Sequence, residues 1–480
     1  MESADCTPEV AWLRAGAAKL ADGAVEMSMT VGFDRAMLAR FRAREEAAFA
    51  ARTPRSAALR TRAAAHLPSA VPMAWMAGLY PTAPVYAAGG SGSRFRDVDG
   101  NEYLDFNVGD LSMCAGFGPP AVVEAVSRQL AAGAHFLLPT EDAIWVAEEL
   151  ARRVGLPFWQ MTLSATGANT EVLRLARLAT TRERLIVFGG HYHGHLDEAL
   201  VRLVEGALEP DGEGLPRRSR EQTRVLPFND LAALEAELKS GEVALVLTEP
   251  ALTNCNVVLP QPGFLAGVRE LTRRYGALLC LDEAHTFQFA HGGLTRDWNL
   301  EADFVVLGKG LGTGISFGLY GMTAPLAKLH ANHLARDGEA PGLAVGGTTY
   351  ASAIAVAAAR AALEHLLRPA DYARIGALGT RLADGLEAHF TARGLPWRAF
   401  RLGPRSGYCL ENALPVNGAE AARSLDTQFI DLRRIYMANR GIWDSVQSAG
   451  PQVSLVHEPS EVERYLEVAG EFLAELTGPA

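Results

Sequence analysis

Lysine is scarce in this chain. The 480 residues include 45 Lys plus Arg, yet only Lys19, Lys239, Lys309 and Lys328 are lysines, which leaves 45 − 4 = 41 arginines. A lysine that persists against this bias is a candidate for chemistry that arginine cannot perform. A desolvated amine can lose its proton and act as a nucleophile, whereas a guanidinium cannot.

Other absences exclude whole classes of protein. The formal net charge of −10 supplies no basic surface for nucleic acid. The five cysteines are scattered without a CxxC pair, which is typical of reduced thiols in the cytoplasm. No uncharged apolar run reaches the roughly 18 residues of a transmembrane helix, and the acidic start "MESADC" predicts no signal peptide. We expect a cytoplasmic protein without a nucleic-acid or membrane partner.

The alternation of patterns between residues 120 and 345 predicts an α/β fold. Helical segments there alternate with compact apolar runs. Such runs indicate strands buried on both faces, and hence a mainly parallel sheet covered by helices. Ligands of these sheets gather beyond the carboxyl ends of the strands. The five runs are "RLIVFGG", "RVLPFND", "VALVLTEP", "GALLCLDEAH" and "ADFVVLGKG".

The sequence as a whole predicts four segments. Residues 1–65 are rich in Ala, Arg and Glu and predict an N-terminal helical extension, to which the sequence assigns no function. Residues 66–118 contain the hairpin signal Asp99-Gly100 and form the first part of a small domain. Residues 119–348 form the large, cofactor-binding domain, and residues 349–480 form the C-terminal part of the small α+β domain.

Two strand-end residues are the main candidates for chemistry. Asp282 ends "LLCLD", and Lys309 follows 309 − 282 = 27 residues later in "LGKG". An enzyme that uses pyridoxal 5'-phosphate (PLP) needs this pair, because lysine forms a Schiff base with the aldehyde and the carboxylate stabilises a protonated pyridine nitrogen. The third requirement is a phosphate site. The small polar residues of "SATGAN", 164–169, precede a helical pattern and predict a helix N-terminus that binds an anion.

The segment "GGHYHGHL", residues 189–196, leaves two interpretations open. Tyr192 could stack on a flat cofactor. The alternating His191, His193 and His195 could instead join Asp282 in a metal-dependent hydrolase. No Cys or acidic cluster nearby completes such a site, so we expect no metal.

Several motifs together resemble one family. The segments "LSATGANTEVLRLAR", "HYHG", "LTEP", "LDEAHT", "LGKGLGTGISFG" and "GGTTYASAIAVAAA" are similar in order and spacing to the class III aminotransferases. Within that family, the chain more closely resembles the group that contains glutamate-1-semialdehyde aminomutase and the β-phenylalanine and D-phenylglycine aminotransferases. The resemblance covers roughly residues 66–475. It implies PLP-dependent transferase fold type I, with a mostly parallel seven-stranded sheet in the large domain, a smaller α+β domain, and a homodimer with shared active sites.

The resemblance also implies roles for individual residues. Lys309 matches the Schiff-base lysine, and Asp282 matches the partner of the pyridine nitrogen. Thr348 matches a threonine that reaches the phosphate of the neighbouring subunit. The other implied cofactor contacts are Ser164, Ala165, Thr166, Tyr192, Glu249 and Ala284. The chain departs from the family at Gly167, where a carboxylate is common, at Ala284, which replaces a valine, and in "AGFGPP", which lacks the usual Gly-His.

We therefore expect a PLP-dependent aminotransferase that moves an amino group from an amine or amino acid, including aromatic, β- and ω-amino donors, to a keto acid. The same site could serve a 1,2-aminomutase or a racemase, neither of which needs an external acceptor. Arg405, with Arg398 and Arg401 as alternatives, is a candidate ligand for a substrate carboxylate. Met73, Trp75 and Trp443 are candidates for an apolar substrate pocket.

Overall fold

The computed structural model describes residues 33, 35–204, 206–334, 342–446 and 450–478. Most of the predicted N-terminal extension, residues 1–32 and 34, therefore lies outside the described residues. The helices, in chain order, are α1 (Arg35–Arg52), α2 (Pro54–Ala63), α3 (Trp75–Gly78), α4 (Pro120–Ala132), α5 (Glu141–Val154), α6 (Ala165–Thr180), α7 (Ser219–Gln222), α8 (Leu231–Leu238), α9 (Phe264–Tyr275), α10 (Gly293–Asp297), α11 (Ala324–Asn332), α12 (Ala353–His365), α13 (Pro369–Ala392), α14 (Gly418–Arg423), α15 (Thr427–Asn439) and α16 (Pro459–Thr477).

The strands fall into one large sheet and three small ones. They are β1 (Ala87–Ser91), β2 (Arg94–Asp97), β3 (Glu102–Asp105), β4 (Phe158–Thr162), β5 (Arg184–Phe188), β6 (Val201–Val204), β7 (Ala207–Pro210), β8 (Thr223–Leu226), β9 (Val243–Thr248), β10 (Leu278–Asp282), β11 (Phe304–Leu307), β12 (Gly318–Met322), β13 (Arg398–Leu402), β14 (Arg405–Cys409) and β15 (Ile442–Trp443).

The large sheet has seven strands in the order β4-β12-β11-β10-β9-β5-β8. The pairs from β8 to β11 are all parallel, and β12 is antiparallel to both of its neighbours. Every residue of β9 and β11 is buried, which explains why their sequences are continuously apolar. The five strands predicted from apolar runs and the mostly parallel seven-stranded sheet are thus confirmed.

Helices cover this sheet because their apolar residues recur on one face. In α6, Val172, Leu175 and Ala176 are buried and pack into one core cluster with residues of the sheet. Asp230 caps α8, since its Oδ1 accepts a hydrogen bond of 2.9 Å from the Ala233 N–H. Such a cap satisfies one of the free amides at a helix N-terminus.

A four-stranded sheet joins distant parts of the chain. Its order is β1-β2-β3-β15, and β15 pairs with β3 in parallel, with Ile442 opposite Leu104. The predicted hairpin turn at Asp99-Gly100 lies between the antiparallel strands β2 and β3, where Gly100 has a φ of +90°. The smaller α+β unit therefore contains residues that precede the large sheet in the sequence and residues that follow it. The boundaries at residues 66, 119 and 349 stay predictions.

In the described part of the chain, no helix combines the length and the apolar character needed to cross a membrane.

Candidate active site

The candidate catalytic residues follow adjacent strands of the large sheet. Glu249 comes directly after β9, Asp282 ends β10, and Lys309 comes two residues after β11. The strands β9, β10 and β11 are parallel neighbours, with Asp282 opposite Val306. Their carboxyl ends therefore lie at one edge of the sheet, and the three residues lie at that edge.

Lys309 adopts an unusual backbone conformation at this edge. Its φ is +48°, in the left-handed region that few non-glycine residues occupy. Its Nζ lies 2.7 Å from Asp110 Oδ2. The side chains of both residues remain about a quarter exposed, at 25% and 23%, so a ligand can reach the amine.

The glycines beside Lys309 serve protein packing. A Cβ at Gly308 would lie 3.2 Å from the Cβ of Ala165, and a Cβ at Gly310 would lie 2.9 Å from the carbonyl oxygen of Leu111. Both contacts are with protein atoms. The two glycines therefore allow the Lys309 loop to approach helix α6 and the loop around Leu111 closely.

Asp282 is buried, at 3% exposure, and its carboxylate is held by three donors. Oδ2 accepts a hydrogen bond of 2.8 Å from Asn169 Nδ2 and lies 2.8 Å from His193 Nδ1. Oδ1 accepts a bond of 3.0 Å from the N–H of Ala284. The sequence placed Asn169 only in the predicted anion site and His193 only in a possible metal site. It did not predict their contacts with Asp282, because these contacts join residues 113 and 89 positions apart.

The three histidines of "HYHGH" do not converge on a common point. His191 Nδ1 lies 2.8 Å from the carbonyl oxygen of Phe188, and its Nε2 lies 2.8 Å from that of Ala199. Burial lowers the pKa of His191 to about 4. His193 faces Asp282, whereas His195 is exposed. This geometry does not support the metal-dependent alternative, and no group of three or more potential ligands occurs among the described residues.

The N-terminus of α6 provides an anion site beside Lys309. Ser164 caps the helix, with its Oγ accepting a hydrogen bond of 3.4 Å from the Gly167 N–H. The first-turn amides that follow, at Ala165 and Thr166, have no carbonyl partner within the helix. Thr166 Oγ1 accepts a bond of 3.3 Å from the N–H of His195, which leaves its own hydroxyl proton available. Amides and a hydroxyl in this position suit a phosphate.

Glu249 begins a buried hydrogen-bonded chain. Its Oε2 accepts hydrogen bonds from the backbone N–H, at 3.0 Å, and the hydroxyl of Thr253, and that hydroxyl lies 2.6 Å from His285 Nδ1. Burial raises the pKa of Glu249 to about 7, opposed by the charge of His193. Burial also lowers the pKa of His285 well below its usual value, with Lys309 contributing. Thr253 and His285 were not predicted as site residues.

The arginines of "RAFRLGPRSGY" differ in their surroundings. Arg398 and Arg401 lie at the surface, where each pairs with Glu387. Arg405 is buried, at 1% exposure. Burial lowers its pKa to about 10, and the carboxylates of Asp110 and Glu249 oppose that shift. Of the three candidates, Arg405 is therefore the one beside the site.

The other predicted contacts lie at the surface of this chain. Tyr192 is 45% exposed, Met73 is 41% exposed and Trp75 is 54% exposed, and Thr348 is also exposed. Burial raises the pKa of Tyr192, and the charge of Asp110 adds to the shift.

Trp443, a predicted substrate contact, lies in a cluster of aromatic residues. It is buried, and its ring centroid lies 5.0 Å from that of Tyr80, 5.5 Å from that of Phe95 and 5.2 Å from that of Tyr103. Aromatic pairs at this spacing stabilise a core. A contribution of Trp443 to a substrate pocket stays a prediction.

The residues at this edge fit PLP. Buried polar atoms are normally hydrogen-bonded, yet four buried atoms around the site have no such partner within the described residues. They are Asn169 Oδ1, His193 Nε2, Glu249 Oε1 and Gln288 Oε1. An amine for covalent attachment, a buried carboxylate for a ring nitrogen and a helix N-terminus for a phosphate also lie together. A polar cofactor would complete this arrangement.

Comparisons with known proteins agree with that fit. The model of the family Aminotransferase class-III matches residues 79–393. Glutamate-1-semialdehyde 2,1-aminomutase 2 of Brevibacillus brevis is 33% identical over 395 residues, which are 80% of this chain and 90% of that protein. A crystal structure of a glutamate-1-semialdehyde aminomutase from Pseudomonas aeruginosa PAO1 matches with a TM-score of 0.89 and 36% identity, covering 93% of this chain and 100% of that one.

A β-phenylalanine aminotransferase from Variovorax paradoxus is also similar, with a TM-score of 0.81 and 26% identity over 91% of this chain and 97% of that one. The resemblance inferred from the motifs is therefore confirmed, together with the fold it implied. This chain belongs to the class III aminotransferases and is a PLP-dependent enzyme.

Proposed function

We propose that this enzyme transfers an amino group from a primary amine or amino acid to a keto acid, with Lys309 as its catalytic lysine. The observation that carries the proposal is the position of Lys309 and Asp282 on adjacent strand ends beside the N-terminus of α6. When bound, PLP supplies an aldehyde that exchanges amines and a ring that accepts electrons from the substrate.

The chain's own residues would hold the cofactor at three points. Lys309 would attach it through Nζ. Asp282, kept in place by Asn169 and His193, would accept a hydrogen bond from the ring nitrogen. The amides of α6 and the hydroxyl of Thr166 would bind the phosphate. Ala284, Tyr192 and Glu249 complete the contacts that we propose.

Lys309 has a second task once the donor has displaced its amine. The free Nζ would act as a general base and take a proton from the reacting carbon of the donor. It would then act as a general acid and deliver the proton to the carbon of the cofactor. The loop glycines support this role by packing the Lys309 segment against Ala165 and Leu111, which limits the positions that Nζ can reach.

Arg405 is our candidate for binding the carboxylate of a keto acid or amino acid. An arginine binds a carboxylate through two parallel hydrogen bonds, and burial strengthens such an ion pair. Met73 and Trp75, both exposed on α3 or just before it, would contribute apolar contacts to the donor.

We also propose that the enzyme is a homodimer in the cytoplasm. A group of large apolar side chains is at least half exposed on α4, α5 and the segment between them, and exposed apolar surface of this kind marks protein interfaces. These residues are Val123, Leu130, Leu137, Leu138 and Ile144. In such a dimer, Thr348 would reach the phosphate site of the partner subunit. The unpaired Cys114, Cys255, Cys280 and Cys409 fit a reducing compartment.

A 1,2-aminomutase is the second candidate, because relatives named as aminomutases reach 33% and 36% identity. A racemase would use the same residues. Purified holoenzyme should be screened with amines and amino acids, with and without pyruvate or 2-oxoglutarate. The aminotransferase proposal predicts a carbonyl product that forms in multiple turnovers only with the acceptor. Sustained isomerisation of the donor without an acceptor would favour the mutase or racemase instead.

A further inference from the structure

Tyr350 lies beside the N-terminus of helix α6. A Cβ added at Gly167, in the first turn of this helix, would lie 3.0 Å from the Tyr350 hydroxyl oxygen. The Cα–Cβ bonds of a helix tilt toward its N-terminus, so a group at the Cβ position of residue 167 lies over the N-terminal end of α6. The hydroxyl is therefore next to the first-turn amides of Ala165 and Thr166, to which we assign the cofactor phosphate.

Two glycines make room for the Tyr350 side chain. A Cβ at Gly347 would lie 2.7 Å from Tyr350 Cε1, so the ring packs directly against the backbone of its own loop. Gly167 makes the same allowance for the hydroxyl. Position 167 is also where the family commonly carries a carboxylate, which would add negative charge beside a phosphate. In this chain the neutral hydroxyl of Tyr350 lies close to the space that such a side chain would take.

Two side chains of α6 hold the loop that carries this tyrosine. Glu171 is buried, and its Oε1 accepts a hydrogen bond of 2.6 Å from the Gly346 N–H. Arg174 Nη1 donates a bond of 2.9 Å to the carbonyl oxygen of Ala344. Residues spaced three and four positions apart share one face of a helix, so Glu171 and Arg174 lie on the face that begins at Gly167. The loop therefore follows that face and ends over the N-terminus of α6.

The Tyr350 hydroxyl can donate a hydrogen bond to a ligand. Among the described residues it has no hydrogen-bond partner, although its side chain is partly buried. Phosphate oxygens are charged acceptors, and hydrogen bonds to charged acceptors are about twice as strong as those between neutral groups. A phosphate at the N-terminus of α6 would give this hydroxyl an acceptor.

We propose that the Tyr350 hydroxyl is a ligand of the cofactor phosphate bound by its own chain. This inference rests on the proposed phosphate site at the N-terminus of α6. The loop, held by Glu171 and Arg174, would bring a neutral donor to the phosphate and close one side of the site. Thr348, which is exposed on the same loop, is left for the phosphate site of the partner subunit.

Two ligands that differ only in the phosphate test this inference. Pyridoxamine 5'-phosphate and pyridoxamine carry the same ring and the same amine, and neither forms a covalent bond with Lys309. Their Kd values are measured by isothermal titration of the full-length protein freed of cofactor. The proteins compared are the wild type, Tyr350→Phe, Thr166→Val and Tyr275→Phe.

Tyr275→Phe is the matched control, because it also removes one tyrosine hydroxyl. That hydroxyl donates a hydrogen bond of 2.9 Å to Glu235 Oε1. Tyr275 precedes β10, whereas Asp282 ends this strand, so the control residue lies at the opposite edge of the sheet from the site. Both Kd values of this variant should match those of the wild type.

We expect Tyr350→Phe to weaken the binding of pyridoxamine 5'-phosphate about tenfold and to leave that of pyridoxamine within about twofold of wild type, because only the phosphate loses a hydrogen bond. A structural role of the loop would weaken both ligands equally, and that result would overturn the inference. If Thr166→Val lost affinity for the phosphate form alone and Tyr350→Phe did not, the phosphate site would stand without Tyr350. Unchanged Kd values in both variants would refute the phosphate site itself.

Discussion

His193 Nδ1 lies 2.8 Å from Asp282 Oδ2 in a buried contact, and the same oxygen accepts a hydrogen bond from Asn169 Nδ2. The two donors fix the carboxylate that we assign to the ring nitrogen of the cofactor. Residues that orient a catalytic group in this way contribute through that group and not through contact with substrate.

Replacing His193 therefore tests the importance of this support. We expect His193→Phe, which keeps a planar aromatic ring but removes Nδ1, to lower kcat by about tenfold and to destabilise the fold by ~1–3 kcal/mol. Steady-state turnover per bound cofactor and urea unfolding would measure the two effects. His195→Ala is the matched control, because its side chain is exposed, and it should stay within about twofold of wild type. Full activity in His193→Phe would show that Asp282 does not need this partner.

Arg405 and Arg401 offer a matched pair of substitutions. We expect Arg405→Met to raise the KM for a keto-acid acceptor such as pyruvate by about 10- to 100-fold, because the carboxylate would lose a buried charged partner. The KM for an aldehyde acceptor without a carboxylate should change far less. Arg401→Met removes a surface arginine that pairs with Asp384 and Glu387 and should change neither value. Equal losses with acid and aldehyde acceptors would contradict a carboxylate-binding role.

The buried Glu249 predicts a dependence of stability on pH. Burial raises its pKa from 4.5 to about 7, so the folded chain binds the proton more tightly than the unfolded chain. The contribution of Glu249 to the free energy of unfolding is therefore fully present below pH 4.5 and is lost as the pH rises to about 7. The loss is at most ~3.5 kcal/mol, from about 1.4 kcal/mol per pKa unit.

Urea unfolding of holoenzyme at pH 5 and pH 8 checks this prediction. Glu249→Gln cannot ionise, so it should lose less free energy of unfolding between the two pH values than the wild type does. Asp105, whose pKa burial also raises to about 7, remains in both proteins and contributes equally. The surface variant Glu463→Gln should follow the wild type. If Glu249→Gln lost as much stability as the wild type, Glu249 would already be ionised at pH 5.

Local patterns predicted the parts of the molecule that depend on local chemistry. The apolar runs identified β5, β9, β10 and β11 because a strand buried on both faces has no polar side. They also identified the edge strand β8, in which buried and partly buried residues alternate. The same runs placed Asp282 and Lys309 at one edge, since parallel strands end together, whereas Glu249 came from the family resemblance.

Contacts between distant segments escaped prediction. Asp110 contacts Lys309, although the two residues are 199 positions apart. Asp110 lies in a turn in which residues 108–111 all have positive φ values. The segment "NVGDL" did not predict this turn, because it contains only one glycine among larger residues. Arg401 and Arg405 look alike in sequence, and only the packing of β14, which is buried throughout, separates them.

Loss of the Lys309 amine should stop the reaction without unfolding the enzyme. We expect Lys309→Ala to lower turnover by about 10³-fold or more, since it removes both the attachment point and the proton-transfer group. Asp282 and the N-terminus of α6 should still bind the cofactor without a covalent bond. Lys239→Ala, at an exposed side chain near Glu235, should keep normal turnover. Normal turnover in Lys309→Ala would remove Lys309 from the mechanism.

The scarcity of lysine makes the central claim directly measurable. Borohydride reduction of the holoenzyme fixes a cofactor bonded to a lysine amine, and peptide mass spectrometry then locates the added mass. Only four lysines can carry it. We predict that the mass appears on the peptide that contains Lys309, whereas its appearance on the peptide of Lys19, Lys239 or Lys328 would contradict this assignment.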